Sequence, residues 1–494
     1  MRILRTFLAA ALFLSMGYLS AHADDGPIRV RGCRPMLREG EVAGGGSLKV
    51  RRTTPDDHYI GDRRQLTVLV NFNDQAFTAE EPLAQWEKIF NTEGLVEEPF
   101  FGSVRDYFTD QSYGQFRPTF DLYHVSLDQP RSKYRSTSSD DENSQYLVND
   151  IMEVLKQEEV EWPVYDWDGD GYVDQLLILY AGKGQNAGGD RNTIWAHQWW
   201  MTEHKDKETG EKLPPVPVVY NGTVYLIDCY CAVPELDQKG GYGSFGTICH
   251  EYSHCFGFPD FYYGSYSIVG DWDLMDYGNY NQGGYCPAGY SAHERMLMGW
   301  LMPTELTDPA SISGLLPLSD EGQAYLIRNN GYADEYYIVE NRQQKGWDRY
   351  LPGSGVVVFH IDYDPSLWGS FTDFVNTYDT QRYTIFPANG RNSTYMSEGW
   401  PYPYQDNDSL TDTSTPAAKL LHANAEGNYL MSKPLYHIKV ENGEASFDFL
   451  QTGESSVGDA LLHESQPVEI LYRMGRVHIV RCESGEVRKI VVKE

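Results

Sequence analysis

The sequence predicts an α/β unit followed by an all-β, sandwich-like module, and three observations predict it. Between about residues 63 and 302, apolar strand-like runs such as QLTVLVNFND and VDQLLILYAG interleave with stretches of helical periodicity. Past about residue 303 the helical period fades, and short apolar runs such as AYLIRN, YYIVEN and GVVVFHIDYD are broken by Gly, Pro and Asn turns. With 494 residues, 41% hydrophobic and 14% aromatic, the chain has enough apolar surface to bury real cores in two or three domains.

The elements follow in chain order. MRILRTFLAAALFLSMGYLSAHADD has two early arginines, an apolar run too short for a bilayer span and a small-x-small site, Ala21-His22-Ala23. Residues 1–23 therefore read as a signal peptide cut after Ala23, which places the protein outside the cell or at its surface. Residues 24–62, with a glycine triplet and mixed charge, read as a leader or propeptide-like segment. QLTVLVNFND begins the first core strand of the unit at 63–302. The stretch 138–158 opens on Ser and Asp and places Leu147, Ile151, Val154 and Leu155 on one helical face. VDQLLILYAG is a buried strand, a helix through residue 250 follows, and YSAHERMLMGWL closes the unit with another helix. The β-rich module occupies 303–451, and a linker with two or three small strands occupies 452–494.

A formal charge of -31 argues against nucleic acid and anionic membrane surfaces as partners, because both would repel the average surface of the chain. Stable membrane insertion is not expected, and a monomer is. The cysteines, at 33, 229, 231, 249, 255, 286 and 482, are odd in number, so at least one stays unpaired in a monomer. Cys229 and Cys231 sit two apart in a strand and point the same way, a spacing unlike a zinc knuckle and suited to small buried residues.

HEYSHCFGFPD, from 250 to 260, carries the chemistry. On a helix, His250 and His254 lie one turn apart and can offer imidazole nitrogens to a single zinc ion. Glu251 projects to the side where an attacking water would sit and can accept its proton. Gly257 can adopt a left-handed conformation, end the helix and return Asp260 toward the metal, with Pro259 stiffening the approach. The pattern HExxHxxGxxD followed by GDWDLMDYG resembles the metzincin clan of zinc peptidases, and within it the M6 family of immune inhibitor A. FGSVRDYFTDQSYGQF, IWAHQW, SAHERMLMGW and ENRQQKGWDRYLPGSGVVVFHIDYD resemble segments of Bacteroidales M6 proteins, over roughly residues 60 to 450. The resemblance implies a metzincin-type α/β catalytic domain in a secreted endopeptidase acting on proteins or peptides. It also implies Asp260 as third ligand, Met275 as the Met-turn residue beneath the ion, and Tyr277 as a candidate for holding the oxyanion. The edge strand that would pair with an extended substrate is expected near IWAHQWW or LIDCYCAV.

Other constellations keep two readings each. Asp166, Asp168, Asp170 and Asp174 fall at positions 1, 3, 5 and 9 of an EF-hand-like loop, with Gly171 sixth and the Tyr172 carbonyl seventh, which suits structural calcium. Leu177 stands where the bidentate acid belongs, and a plain Asp-Gly turn is the alternative. His197, between tryptophans, reads as a packed residue or a cleft residue. His293-Glu294 has Leu297 in place of a second histidine and reads as ordinary helix. Cys33 in RGCRP invites comparison with the latency thiolate of matrix metallopeptidases, which M6 relatives do not generally show. The last 40 or so residues weakly resemble a type IX sorting domain, or form a plain hairpin. The rival reading of the whole chain is a catalytically degenerate surface protein that binds polypeptides or glycans. An intact Glu251 counts against it, because a binding module needs no general base.

Overall fold

The computed structural model describes residues 57–136, 143–368 and 375–451, together with the backbone of 467–474, 477–482 and 487–491. The predicted signal peptide, nearly all of the leader, and Cys33 lie outside the described residues. The chain divides into two compact units, Met1–Gln451 and Thr452–Glu494.

The first unit is mixed α/β. Its main sheet has five strands in the order Phe116–Ser126, Gly61–Asn71, Leu176–Lys183, Cys229–Leu236, His197–Trp200. The first four run parallel, and the last is antiparallel to its neighbour. Central strands of such a sheet are covered on both faces, so they read as continuous apolar runs rather than alternating ones. Leu66 to Val70 and Leu176 to Ala181 are buried without a break. Helices Pro82–Asn91, Val104–Gln111, Ser144–Leu155 and Ser244–His254 accompany this sheet. Of the helix expected at 138–158, Ser144–Leu155 is helical and buries Leu147, Ile151 and Leu155 as its periodicity requires, while 138–142 lie outside the described residues. No helix among the described residues is long and apolar enough to cross a membrane.

Beyond residue 303 a second five-stranded sheet runs in the order Tyr383–Ile385, Gly355–Asp362, Glu335–Arg342, Tyr325–Arg328, Thr304–Glu305. A three-stranded sheet of Ala310–Leu315, Glu444–Phe449 and Leu435–Glu441 accompanies it. Alternate residues of single strands feed two different cores, as the two-residue period of a strand dictates. Tyr336, Ile338, Val357, Phe359 and Ile361 join the core that contains Leu69 and Ile248. Tyr337, Val339, Val356 and Val358 join a second core with Ile438 and Phe447 of the three-stranded sheet. The α/β core therefore continues into the β-rich region.

The described strands of the second unit, Pro467–Met474, Val477–Cys482 and Val487–Val491, form a three-stranded antiparallel sheet.

Candidate metal centre

Helix Ser244–His254 is buried along its whole length. Its first residue is tied to the neighbouring sheet strand, the Ser244 hydroxyl donating to the Glu235 carbonyl at 2.6 Å. Gly246 allows the loop at Asn279 to approach closely, since a Cβ there would lie 1.9 Å from the Asn279 carbonyl oxygen. Past the helix, Gly257 adopts φ +91°, the left-handed turn expected of it, and the chain comes back at Asp260.

The side chains of His250, Glu251, His254 and Asp260 are all fully buried. The Nε2 atoms of His250 and His254 lie 3.2 Å apart. Asp260 Oδ1 lies 3.3 Å from the first and 3.4 Å from the second. Nδ1 of His250 meets the Leu274 carbonyl at 2.9 Å, and Nδ1 of His254 meets the Phe258 carbonyl at 2.8 Å. A carbonyl can only accept, so each ring carries its proton on Nδ1 and turns a lone pair on Nε2 inward.

Two inward lone pairs and a carboxylate facing one point repel unless a cation lies between them. Both Asp260 oxygens are buried without a conventional hydrogen bond, which is costly for a carboxylate. A tetrahedral zinc site with ligands at about 2.0–2.1 Å has ligand-to-ligand edges of roughly 3.3 Å. The observed edges of 3.2, 3.3 and 3.4 Å match that triangle. The donor set fits zinc, and His250, His254 and Asp260 could hold it.

Burial pulls the His250 imidazole down, but the neighbouring Asp260 carboxylate outweighs it and holds the group up at about 9. Burial pushes His254 down. Burial raises Asp260, and the two imidazoles overcome that and leave it below the usual carboxylate range. Glu251 stands just outside the triangle, with Oε2 4.0 Å from His254 Nε2.

Met275 is fully buried. Its carbonyl accepts the Phe261 N–H at 2.9 Å, joining the Met275 turn to the residue after Asp260. Tyr277 is half-buried, with its ring 6.4 Å from Tyr262 and 6.3 Å from Tyr280. Trp195 packs with Tyr262 and Tyr280, so these residues form an aromatic wall. His197 is buried, its Nδ1 2.7 Å from the Trp195 carbonyl and its Nε2 3.3 Å from the Tyr230 hydroxyl, a packed residue. His293 lies in the closing helix Ala292–Leu297, where Glu294 completes a capping box with Ser291. Of the two segments expected to supply an edge strand, His197–Trp200 lies at the sheet edge and Cys229–Leu236 lies inside.

In the aspartate loop, oxygens of Asp166, Asp168 and Asp170 lie within 4.8 Å of one another. Asp166 also accepts the backbone N–H groups of Gly169, Asp170 and Gly171 at 2.9–3.0 Å. Asp174 does not join them. It is buried, pairs with His58 and accepts the Trp167 N–H, because desolvation favours a partnered acid over a solvated ligand. Cys229, Cys231, Cys249, Cys255 and Cys286 are free and buried.

The sequence pattern named the three residues that the structure brings together, but not the Leu274 and Phe258 carbonyls that orient the two imidazoles. Backbone groups leave no residue-type signal.

Residues 62–299 match the family model described as immune inhibitor A peptidase M6, catalytic domain. The chain is 28% identical over 294 residues to immune inhibitor A of Bacillus thuringiensis subsp. alesti, covering 57% of this chain and 34% of that protein. It is 27% identical over 184 residues to the pre-pro-metalloprotease PrtV of Vibrio cholerae serotype O1, covering 33% of this chain and 19% of that protein. The chain thus spans about a third or less of the length of these curated relatives. Among solved structures, wild type OgpA from Akkermansia muciniphila covers 63% of this chain and 93% of its own at 11% identity, with a TM-score of 0.25.

Proposed function

Residues 62–299 belong to the M6 peptidase family, and from that premise we propose that the chain is a secreted zinc-dependent endopeptidase whose general base is Glu251. The observation that carries the reading is the triangle of His250, His254 and Asp260, with edges of 3.2 to 3.4 Å. His250, His254 and Asp260 would hold the zinc ion, which would supply Lewis acidity toward the attacking water and the scissile carbonyl. Glu251 takes the proton from the attacking water and returns it to the departing amine. The Leu274 and Phe258 carbonyls keep both imidazoles in the tautomer that offers Nε2. The Tyr277 hydroxyl assists the developing oxyanion. As the edge strand, His197–Trp200 receives an extended peptide by main-chain hydrogen bonds. The test is turnover of unfolded casein by the zinc-loaded chain and by Glu251→Gln, whose expected loss is worked out in the Discussion.

Four parallel strands followed by an antiparallel edge strand support a metzincin-type topology, and the core shared by the two later sheets supports a sandwich-like module. For calcium, the supporting feature is the cluster of Asp166, Asp168 and Asp170 with the Tyr172 carbonyl next in the loop. Export rests on the signal-peptide pattern of residues 1–23. N-terminal sequencing of the mature species tests that cut and any removal of 24–62, and an intact Met1 on the active enzyme would refute both.

A further inference from the structure

A single residue of the β-rich region touches the supports of the metal triangle from two directions. Tyr383 opens the edge strand Tyr383–Ile385 and is fully buried. Its ring stacks on Phe261, the residue after Asp260, with centroids 3.8 Å apart and planes 21° apart. Its hydroxyl lies 2.7 Å from Asp273 Oδ2 and 2.8 Å from Ser291 Oγ. The other Asp273 oxygen accepts the Met275 N–H at 2.8 Å. Between these two residues stands Leu274, whose carbonyl orients His250 at 2.9 Å. Asn376 locks the arrangement, donating to the Phe261 carbonyl at 2.7 Å and to the Tyr383 carbonyl at 3.0 Å.

These contacts form two short paths. One runs from the Tyr383 ring to Phe261 and so to Asp260. The other runs from the Tyr383 hydroxyl through Asp273 to the turn that carries Leu274 and Met275, and so to His250. The paths close on each other through the hydrogen bond from Phe261 N–H to the Met275 carbonyl. A carboxylate pinned at both oxygens fixes a turn far better than backbone alone, because each bond removes a rotation that would let the Leu274 carbonyl drift.

We propose that Tyr383 is a positioning residue of the metal centre, setting His250 through Asp273 and Asp260 through Phe261. It touches neither metal nor substrate. The β-rich region is therefore part of what makes the centre, although the ligands all come from residues 250–260. This inference rests on the metal-centre reading above.

The test uses the full chain with cobalt(II) as a probe for zinc. Wild type, Tyr383→Phe, Asp273→Asn and the double variant are titrated against a competing chelator, and the visible d–d bands are recorded. Tyr383→Phe keeps the stack on Phe261 and deletes the hydroxyl with its contacts to Asp273 and Ser291. Partners of metal ligands commonly govern affinity by about 10–100-fold, so cobalt affinity falls by roughly tenfold and the bands shift. The double variant binds no more weakly than Asp273→Asn alone, because both changes cut one path. A merely structural role would lower the melting point of the metal-free protein and leave the bands where they were. Tyr383→Phe affinity within about twofold of wild type, or losses that multiply in the double variant, overturns the proposal. If Tyr383→Phe does not fold, Asp273→Asn decides, and unchanged affinity and bands in it overturn the proposal equally. A wild type that binds no cobalt overturns the metal-centre reading, and this inference with it.

Discussion

Glu251→Gln is the perturbation that separates catalysis from metal binding. Glutamine keeps the volume of the side chain and removes only its charge and basicity. General bases contribute about 10²–10⁴-fold. Glu251 is fully buried, so bulk water has poor access to stand in as proton acceptor, and the loss belongs in the upper half of that range. The expected fall in kcat is roughly 10³–10⁴-fold, or about 4–5.5 kcal/mol on the barrier. The lost charge also lies 4.0 Å from His254 Nε2. The neutral imidazole makes no ion pair with it, but a carboxylate this near the ligand triangle also favours a divalent cation inside it, so metal binding loosens as well. The assay therefore measures initial rates on fluorogenic casein with zinc in excess, and elemental analysis of the same sample confirms about one zinc per chain. A zinc-loaded variant that keeps more than a tenth of wild-type turnover would refute the role given to Glu251.

The remaining predictions concern three other sites. Tyr277→Phe lowers kcat by about tenfold with KM little changed if its hydroxyl meets the oxyanion; a change in KM alone assigns it to the wall. His293 is fully buried, and desolvation pulls it from 6.5 down to about 3. A depressed folded pKa means stability that is complete above 6.5 and lost as pH falls toward 3, by about 1.4 kcal/mol for each unit in that window. Urea unfolding of His293→Gln between pH 6.5 and 4 should show a shallower acid loss, and identical slopes for the two proteins count against the account. Calcium chelation lowers the melting temperature of wild type by several degrees, and that of Asp166→Ala much less; equal shifts exclude the aspartate loop as the site.

The metal helix was legible because its information is local. A four-residue spacing, a glycine at the turn and an acid three positions later suffice to gather His250, His254 and Asp260, whatever the rest of the chain does. The buried strand in VDQLLILYAG was legible for the same reason, since burial on both faces writes itself as an unbroken apolar run from Leu176 to Ala181. Choosing the edge strand was harder. IWAHQWW and LIDCYCAV are both apolar and aromatic, and only pairing partners tell an edge from an interior strand. Asp174 misled because the loop spacing that fits calcium also fits a buried acid whose partner, His58, lies 116 positions earlier and leaves no local trace.

What the sequence could not show at all is that the texture change near residue 303 is not a break in the core. A strand such as Glu335–Arg342 looks like any buried strand, but its two faces serve two cores, with Tyr336 and Ile338 in one and Tyr337 and Val339 in the other. The seam beside it is polar as well as apolar. Arg342 is fully buried and grips Asp348 through two bonds of 2.7 Å, while also reaching Glu340 at 3.1 Å and the Gly289 carbonyl at 2.9 Å. Buried ion pairs of this kind add little net stability over well-packed apolar groups, yet losing one partner is severely destabilising. Apolar faces can slide over one another by fractions of an ångström at small cost. A guanidinium held by a bidentate carboxylate cannot, because a small displacement leaves a buried charge without its partner. Such a seam sets register more than it adds stability. Register is what the metal centre needs if Tyr383 is to meet Phe261 and Asp273 together.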